Sequence, residues 1–165
     1  MKRNYLIFAV LFSIAAFRAQ AEGFLGSYDR QIVASCMVLE AGGEGSEGMQ
    51  AVLNVVLNRA NGYLHRMVPE TVKTGAFSCM SSVWRSNSPD YSPLIDRAMS
   101  QPGAYDEALQ LISVMEQGLL KDNTGGATHY HADYIRPYWA GSLRYLTTIG
   151  HHVFYVERGC QVASL

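Results

Sequence analysis

Apolar residues recur at helical spacing through most of the first two-thirds of the chain. The first such stripe consists of Ile32, Val33, Cys36 and Met37. Residues three or four positions apart share one face of a helix, so the stripe predicts a helix over residues 27–41. Ser27 or Asp29 is its predicted N-terminal cap, and the glycine-rich segment 42–45 ends it.

A second stripe predicts a helix that begins near Ser46 and ends at Asn61-Gly62. Its members are Met49, Val52, Leu53, Val56 and Leu57. Weaker patterns predict a short helix beginning at Pro69, and two further helices over residues 90–100 and 105–120. The apolar side of the last is formed by Ala108, Leu111, Ile112, Met115 and Leu119.

The C-terminal third has a different pattern. Segments 127–134 and 151–157 are short, aromatic and β-branched, which is typical of strands, and an irregular aromatic loop at 137–141 lies between them. No repeat or linker interrupts the chain. These elements predict an α+β fold, mostly helical with a small C-terminal sheet, in one domain.

The first 21 residues predict a secretory leader rather than a part of the fold. Lys2 and Arg3 precede an apolar run, and Ala19-Gln20-Ala21 matches a small-x-small cleavage site. The predicted domain is therefore 22–165, exported to the periplasm, cell envelope or exterior, with no later membrane-spanning segment. The leader takes three basic residues from a chain of net charge −1, which leaves −4. Such a charge disfavours nucleic acid as a partner.

The three cysteines, Cys36, Cys79 and Cys160, all follow the leader. Cys36 belongs to the first apolar stripe, where a cysteine is usually a small buried hydrophobic residue. Cys79 and Cys160 lie in less regular segments, and export permits disulfides, so we predict a Cys79–Cys160 bond.

Glu40 is the first candidate for chemistry, because it ends an otherwise apolar helix face beside a glycine cluster. An unpaired buried carboxylate is costly, so such a group holds a proton, finds a partner or takes part in catalysis. Glycines 42 and 43 would let a bulky substrate approach it. Glu44 follows them and points either toward the same cleft or toward solvent. A structural carboxylate satisfied by a tyrosine or an amide is the alternative.

Histidines form a second candidate site in the C-terminal third. His129 and His131 alternate on a predicted strand and so share a face, and His151 and His152 follow later. With Glu40 or Asp133 they would supply zinc ligands for a hydrolase. Structural histidines explain the same pattern, and no HExxH motif is present.

Aromatic residues with polar tips form the third candidate. Tyr138 and Trp139 lie on the predicted loop, with Tyr130, Tyr134 and Tyr145 around it in sequence. Sugar-binding grooves use such residues because the apolar faces of sugar rings stack on aromatic rings, although ordinary core and rim residues look the same.

Together and in this order, several segments resemble the spore-cortex-lytic (SleB/CwlJ-like) cell-wall hydrolases. The segments are Leu39-Glu40-Ala41-Gly42-Gly43-Glu44, Val55-Val56-Leu57-Asn58-Arg59, Phe77-Ser78, Gly126-Ala127-Thr128-His129-Tyr130-His131, Pro137-Tyr138-Trp139-Ala140 and Ile149-Gly150-His151-His152. The resemblance runs from about Ile32 to Tyr155. It implies a lysozyme-like fold and cleavage of the peptidoglycan glycan strand.

The resemblance also implies a mechanism and a set of roles. The family's catalytic glutamate falls on Glu40, which would act as acid and then base of a lytic transglycosylase, without metal or cofactor. Glu44 would support the loop or orient sugars. The remaining implied substrate-binding residues are Thr128, His129, Tyr130, His131, Tyr138 and Trp139.

Three matters stay open at this stage. A hydrolytic muramidase and a zinc-dependent amidase or peptidase using His129 and His131 are the alternatives, and a non-catalytic wall-binding protein is a further one. The chain shows no separate peptidoglycan-binding repeat, so wall targeting would come from the groove or from a partner protein. Whether the substrate is spore cortex or vegetative wall is also open.

Overall fold

The computed structural model describes residues 24–84 and 89–159. The predicted leader and Cys160 lie outside these ranges. The helices are α1 (Ser27–Ala41), α2 (Gly45–Arg59), α3 (Met67–Val72), α4 (Ser81–Trp84), α5 (Ser92–Met99) and α6 (Pro102–Glu116). The strands are β1 (His129–Ala132), β2 (Arg144–Ile149) and β3 (His152–Val156), and short 3₁₀ turns occupy Gly42–Glu44, Leu64–Arg66, Ser78–Met80 and Tyr138–Gly141.

Helix α1 is the centre of the core and contacts α2, α3, α5 and α6. Every residue from Ile32 to Val38 is buried, so this helix is enclosed on all sides over that stretch. The buried hydroxyl of Ser35 donates to the Gln31 carbonyl at 2.7 Å, which satisfies it within the helix. The first predicted helix is confirmed. The predicted caps are wrong, because Gly26 is the N-cap and no side chain caps this end.

The other predicted helices are confirmed with shifted ends. Helix α6 begins at Pro102, where the fixed φ of proline suits the first turn, and ends at Glu116. Leu119 was predicted to lie on the apolar side of this helix, but it follows the helix end and is exposed. Helix α4 has no counterpart in the sequence-based prediction. Within the described residues, no helix has the length and apolar character needed to cross a membrane.

The three strands form an antiparallel sheet in the order β1-β3-β2. Strand β2 was not predicted. It joins β3 through the turn Gly150-His151, where Gly150 has φ 55°. In β1, Tyr130 pairs with Phe154 while His129 pairs with Tyr155. Since neighbouring side chains point to opposite faces of a sheet, Tyr130 and His129 face opposite ways.

A hydrogen-bonded loop fixes the start of β1 against α2. The Asp122 carboxylate accepts hydrogen bonds from the amides of Thr124 and Gly126, at 2.7 and 2.8 Å. The Asn58 side chain donates to Asp122 and to the Ala127 carbonyl, both at 3.0 Å. The predicted α+β fold, mostly helical with a small C-terminal antiparallel sheet, is confirmed.

Candidate active site

Glu40 lies in the last turn of α1, half-buried between that helix, the Ser78–Met80 turn and the sheet. Its Oε1 accepts hydrogen bonds from the Ser78 hydroxyl at 2.8 Å and from the Cys79 amide at 2.7 Å. Its Oε2 accepts one from the Tyr130 hydroxyl at 2.9 Å. Two separate parts of the chain, the Ser78–Met80 turn and strand β1, therefore hold this carboxyl group of α1 in a defined orientation.

The donors to the two oxygens of Glu40 differ in the proton positions that they allow on the carboxyl group. A backbone N–H can only donate, so the Cys79 amide requires Oε1 to accept in every protonation state. A hydroxyl can donate or accept, so Tyr130 accommodates either a carboxylate or a protonated Oε2. Of the two oxygens, Oε2 therefore has the contacts that are compatible with either the presence or the absence of a proton.

Tyr130 is packed on the helix-facing side of the sheet. Its ring lies 5.5 Å from the Phe154 ring and 6.2 Å from the Phe77 ring. Burial, and then the nearby Glu40 charge, raise the pKa of the Tyr130 hydroxyl well above its ordinary value. The hydroxyl consequently keeps its proton throughout the physiological range and remains available to Glu40.

Two buried cysteines lie directly behind Glu40. Cys36 precedes it by one helical turn, and its Sγ lies 3.8 Å from Cys79 Sγ. Burial, and then the contact with Cys79, raise the pKa of the Cys36 thiol well above its ordinary value. The thiol is therefore uncharged, and the interpretation of Cys36 as a small buried residue is confirmed. The Cys79–Cys160 bond stays a prediction, because Cys160 lies outside the described residues.

Glu44 does not share the contacts of Glu40. Its Oε1 accepts from the His151 amide at 3.2 Å and lies 3.0 Å from His152 Nδ1, although the angles there do not make a hydrogen bond. A Cβ at Gly48 would lie 2.6 Å from Glu44 Cβ, and one at Gly150 would lie 2.7 Å from Glu44 Cδ. Both glycines thus make room for a side chain that joins the α2 start to the β2–β3 turn.

Tyr130 and His152 connect the two acids. The edge of one ring meets the face of the other at a centroid distance of 4.9 Å. Glu40, Tyr130, His152 and Glu44 therefore form one continuous line of contacts.

Three other predicted site residues, His129, His131 and Trp139, meet at the opposite face of the sheet. The rings of His129 and His131 each lie 5.6 Å from the ring of Trp139, and His131 stacks on Tyr155 at 5.3 Å. Tyr138 beside them is 98% exposed. The structure thus brings His129, His131 and Trp139 together as an aromatic surface, separate from the Glu40–Tyr130 pair.

In both histidines of this surface, ring nitrogens lie within hydrogen-bonding distance of oxygen atoms of the protein. His131 Nδ1 lies 2.8 Å from the Ala132 carbonyl and Nε2 lies 3.1 Å from the Tyr155 hydroxyl. His129 Nδ1 lies 2.9 Å from the Thr128 hydroxyl. Burial, and then Arg59, lower the pKa of His129, so it is neutral near pH 7. Across residues 24–84 and 89–159, no three His, Cys, Asp or Glu side chains are grouped as metal ligands.

Sequence reasoning missed the residues that position Glu40 and Glu44. Ser78 and the Cys79 amide bind Glu40, and His152 lies beside Glu44. Phe77-Ser78 was among the segments that resemble the family. The sequence did not show that Ser78 binds Glu40. A backbone amide gives no signal in a sequence, because every residue but proline has one.

The contacts hold one carboxyl group, that of Glu40, at the junction of the helical layer and the small sheet. The cell wall hydrolase family matches residues 43–155, which is more than half of the chain. The chain therefore belongs to the cell wall hydrolase family and is a wall-degrading enzyme. The matched segment begins three residues after Glu40, so the case for Glu40 comes from its contacts.

A solved structure shows the same fold. The catalytic domain of the germination-specific lytic transglycosylase SleB from Bacillus anthracis is 22% identical, with a TM-score of 0.55. The similarity covers 80% of this chain and 97% of that domain. The lysozyme-like fold expected from the sequence is thereby confirmed. No curated protein matches the chain.

Proposed function

We propose that this enzyme is a lytic transglycosylase that cleaves peptidoglycan glycan strands between N-acetylmuramic acid and N-acetylglucosamine. The orientation of Glu40 carries the proposal. One oxygen is fixed as an acceptor by the Cys79 amide, which leaves Oε2 to carry a transferable proton beside Tyr130. A glycosidic oxygen is a suitable acceptor for such a proton.

The reaction requires Glu40 to act twice. Protonated Oε2 first gives its proton to the glycosidic oxygen as the bond from that oxygen to the muramyl C1 breaks. The resulting carboxylate then takes the proton of the muramyl 6-hydroxyl as that oxygen bonds to C1. The products are a 1,6-anhydromuramyl end and a free N-acetylglucosamine end, and Glu40 is again protonated without the use of water.

The position of Glu44 supports this chemistry over hydrolysis. An ordinary glycosidase uses a second carboxylate as nucleophile or as base for water. Glu44 is the nearby acid in sequence, yet its side chain is 15% exposed and faces the His151-His152 turn. We assign it the role of holding that turn. The similar SleB domain belongs to a lytic transglycosylase, which agrees with the single-acid mechanism.

The proposal also assigns a function to the aromatic surface, namely binding of the glycan strand. We assign sugar binding to Trp139, exposed Tyr138 and the imidazoles of His129 and His131, with Thr128 orienting His129. Tyr130 is assigned no sugar contact; its proposed role is to position Glu40 through their hydrogen bond. We further propose that the enzyme acts outside the cytoplasm after cleavage of residues 1–21, so that the exported protein begins at Glu22.

Mass spectrometry of the soluble products from purified sacculi tests the reaction. The mature enzyme should release muropeptides lighter by one water than hydrolytic products, and Glu40→Gln should reduce their release by about 10²- to 10⁴-fold. Exposed Glu47 in α2 provides the matched control, Glu47→Gln, which should retain activity.

Two other product patterns would reject the proposal. Products with reducing muramyl ends, lost in Glu40→Gln, would identify a hydrolytic muramidase. Cleaved peptide stems on intact glycan, with activity retained in Glu40→Gln and lost with a chelator, would identify the zinc-dependent alternative at His129 and His131. Equal melting temperatures of the variants would show that a loss of activity is not a loss of folding.

A further inference from the structure

A charged cavity of about 480 Å³ lies beyond the Glu40 site, where the end of α2 meets the start of β1. The segment after α3 closes one side of it and the end of β3 another. Its ionisable lining residues are Arg59, Glu70, Lys73, His129 and Glu157. None of the roles assigned so far uses the two basic residues, Arg59 and Lys73.

Arg59 is held rigidly in the wall of this cavity. Its Nε donates to the Thr128 carbonyl at 2.6 Å, and its guanidinium lies 5.0 Å over the Phe77 ring. Among the described residues its guanidinium makes no other hydrogen bond. Burial lowers the pKa of Arg59 without removing its charge. A half-buried guanidinium with free Nη donors is well suited to pair with a carboxylate in two parallel hydrogen bonds.

The cavity carries both signs of charge. Lys73 and Glu70 lie 3.8 Å apart at its rim, and Glu157 is exposed on another side. A purely anionic ligand would be repelled by the two glutamates. A ligand that has both a carboxylate, to pair with Arg59, and an ammonium group, to pair with Glu157, matches both signs of charge in the cavity.

Phe77 connects this cavity to the catalytic acid. One face of its ring receives Arg59, the ring also contacts Tyr130, and the next two residues bind Glu40. A glycan strand at Glu40 would therefore bring its substituents close to Arg59. In peptidoglycan the muramyl residue carries a peptide stem, which has carboxylates and, where it contains a diamino acid, an ammonium group.

We propose that this cavity binds the peptide stem of the substrate, with Arg59 pairing with a stem carboxylate and Glu157 with a stem ammonium group. The inference rests on the proposed function, because it takes peptidoglycan glycan as the substrate. It assigns to the enzyme a preference for walls whose muramyl residues keep their stems.

Two matched substrates test this preference. One is purified glycan with intact stems, and the other is the same glycan stripped of its stems by an amidase. The natural enzyme should have a lower KM for the stem-bearing glycan. Arg59→Gln should raise that KM by roughly ten- to a hundredfold, the usual value of a charged hydrogen bond, and leave the stem-free KM unchanged. Glu157→Gln, at an exposed position, should act in the same direction, and Arg97→Gln on the exposed side of α5 is the control.

Equal KM values of the natural enzyme for both substrates would overturn the inference, as would equal loss on both substrates in Arg59→Gln. Titration of the free stem peptide, followed through the NMR signals of the His129 ring, separates this inference from the proposed function. A shift of those signals that Arg59→Gln abolishes would support stem binding even if the glycan product were not anhydromuramyl. No shift at millimolar peptide would reject it.

Discussion

The Tyr130 hydroxyl donates to Glu40 Oε2 at 2.9 Å, while the Cys79 amide donates to the other oxygen, Oε1. Tyr130→Phe removes this partner while keeping the ring contacts with Phe77 and Phe154. We expect kcat to fall roughly ten- to a hundredfold, as for loss of a hydrogen bond to a charged group, with KM little changed. Initial rates at several concentrations of sacculi would give kcat and KM, and Tyr134→Phe, at an exposed position, is the control. An unchanged kcat and pH profile would contradict the role of Tyr130.

Gly150 is expected to tolerate no side chain. An alanine there would have φ 55° and would overlap the Glu44 carboxylate. We expect Gly150→Ala to lower the free energy of unfolding by about 3 kcal/mol, combining left-handed strain with overpacking. Gly118→Ala is the control, since Gly118 also has positive φ but no neighbour within 4 Å, and should cost about 1 kcal/mol. Denaturant unfolding measures both, and Glu44→Ala should rescue part of the Gly150→Ala loss if the overlap is its cause.

Arg30 and Glu116 form an ion pair that joins α1 to the end of α6. The Glu116 side chain is 1% exposed, and its Oε1 also accepts from the Leu25 amide at 2.9 Å. Arg30→Met would leave this carboxylate buried without its cation, so we expect a loss of about 3–5 kcal/mol in unfolding free energy. Lys73→Met, at an exposed pair, should cost less than about 1 kcal/mol. Similar costs for the two variants would refute this account.

His151 and Asp133 give a pH-dependent contact between the β2–β3 turn and the end of β1. Their Nδ1 and Oδ2 atoms lie 3.1 Å apart, and the hydrogen bond with Asp133 raises the pKa of His151. Because the folded-state pKa is raised, the contact stabilises the fold below the ordinary histidine pKa, and this contribution is lost as pH rises through the raised value. Asp133→Asn should move the NMR titration of His151 to lower pH, whereas exposed Asp106→Asn should not. An unmoved titration would mean that the contact is absent in solution.

The cysteine pairing can be determined directly in the exported protein. We predict a peptide containing Cys79 linked to one containing Cys160, detected by mass spectrometry of an unreduced digest. The 3.8 Å separation of Cys36 and Cys79 Sγ defines the competing result. A Cys36–Cys79 peptide, or three alkylated thiols without reduction, would refute the predicted bond.

The helical layer could be predicted from the sequence because its signal is local and repeated. The Met49, Val52, Leu53 and Val56 stripe of α2 is buried as expected. Strand β2 was missed because Arg144 and Tyr145 are exposed and its burial does not alternate clearly. The β-branched run Thr147-Thr148-Ile149 before Gly150 was the available signal. The edge strand is defined by its pairing with β3, which the sequence does not show.

Glu40 could be singled out from the sequence as a candidate, but its contacts could not. Glu40 was recognisable because it interrupts an apolar face. That Cys79 donates its amide from a position 39 residues later depends on tertiary packing. The histidines and Tyr130 were expected to line one groove, and strand alternation instead places Tyr130 and His129 on opposite faces. The packing of the sheet against the helices determines that the Tyr130 face, and not the His129 face, contacts Glu40.

The Asp122 loop has a consequence for how the enzyme can change. Because strand residues alternate, a slip of one position in β1 would present an imidazole to Glu40 in place of the phenol. The hydrogen bonds from Asn58 to Asp122 and to the Ala127 carbonyl set that alignment, far along the chain from the acid. A residue inserted after Ala127 should silence catalysis while the helices still melt cooperatively. The length of a loop remote from Glu40 therefore determines which side chain of β1 faces that carboxyl group.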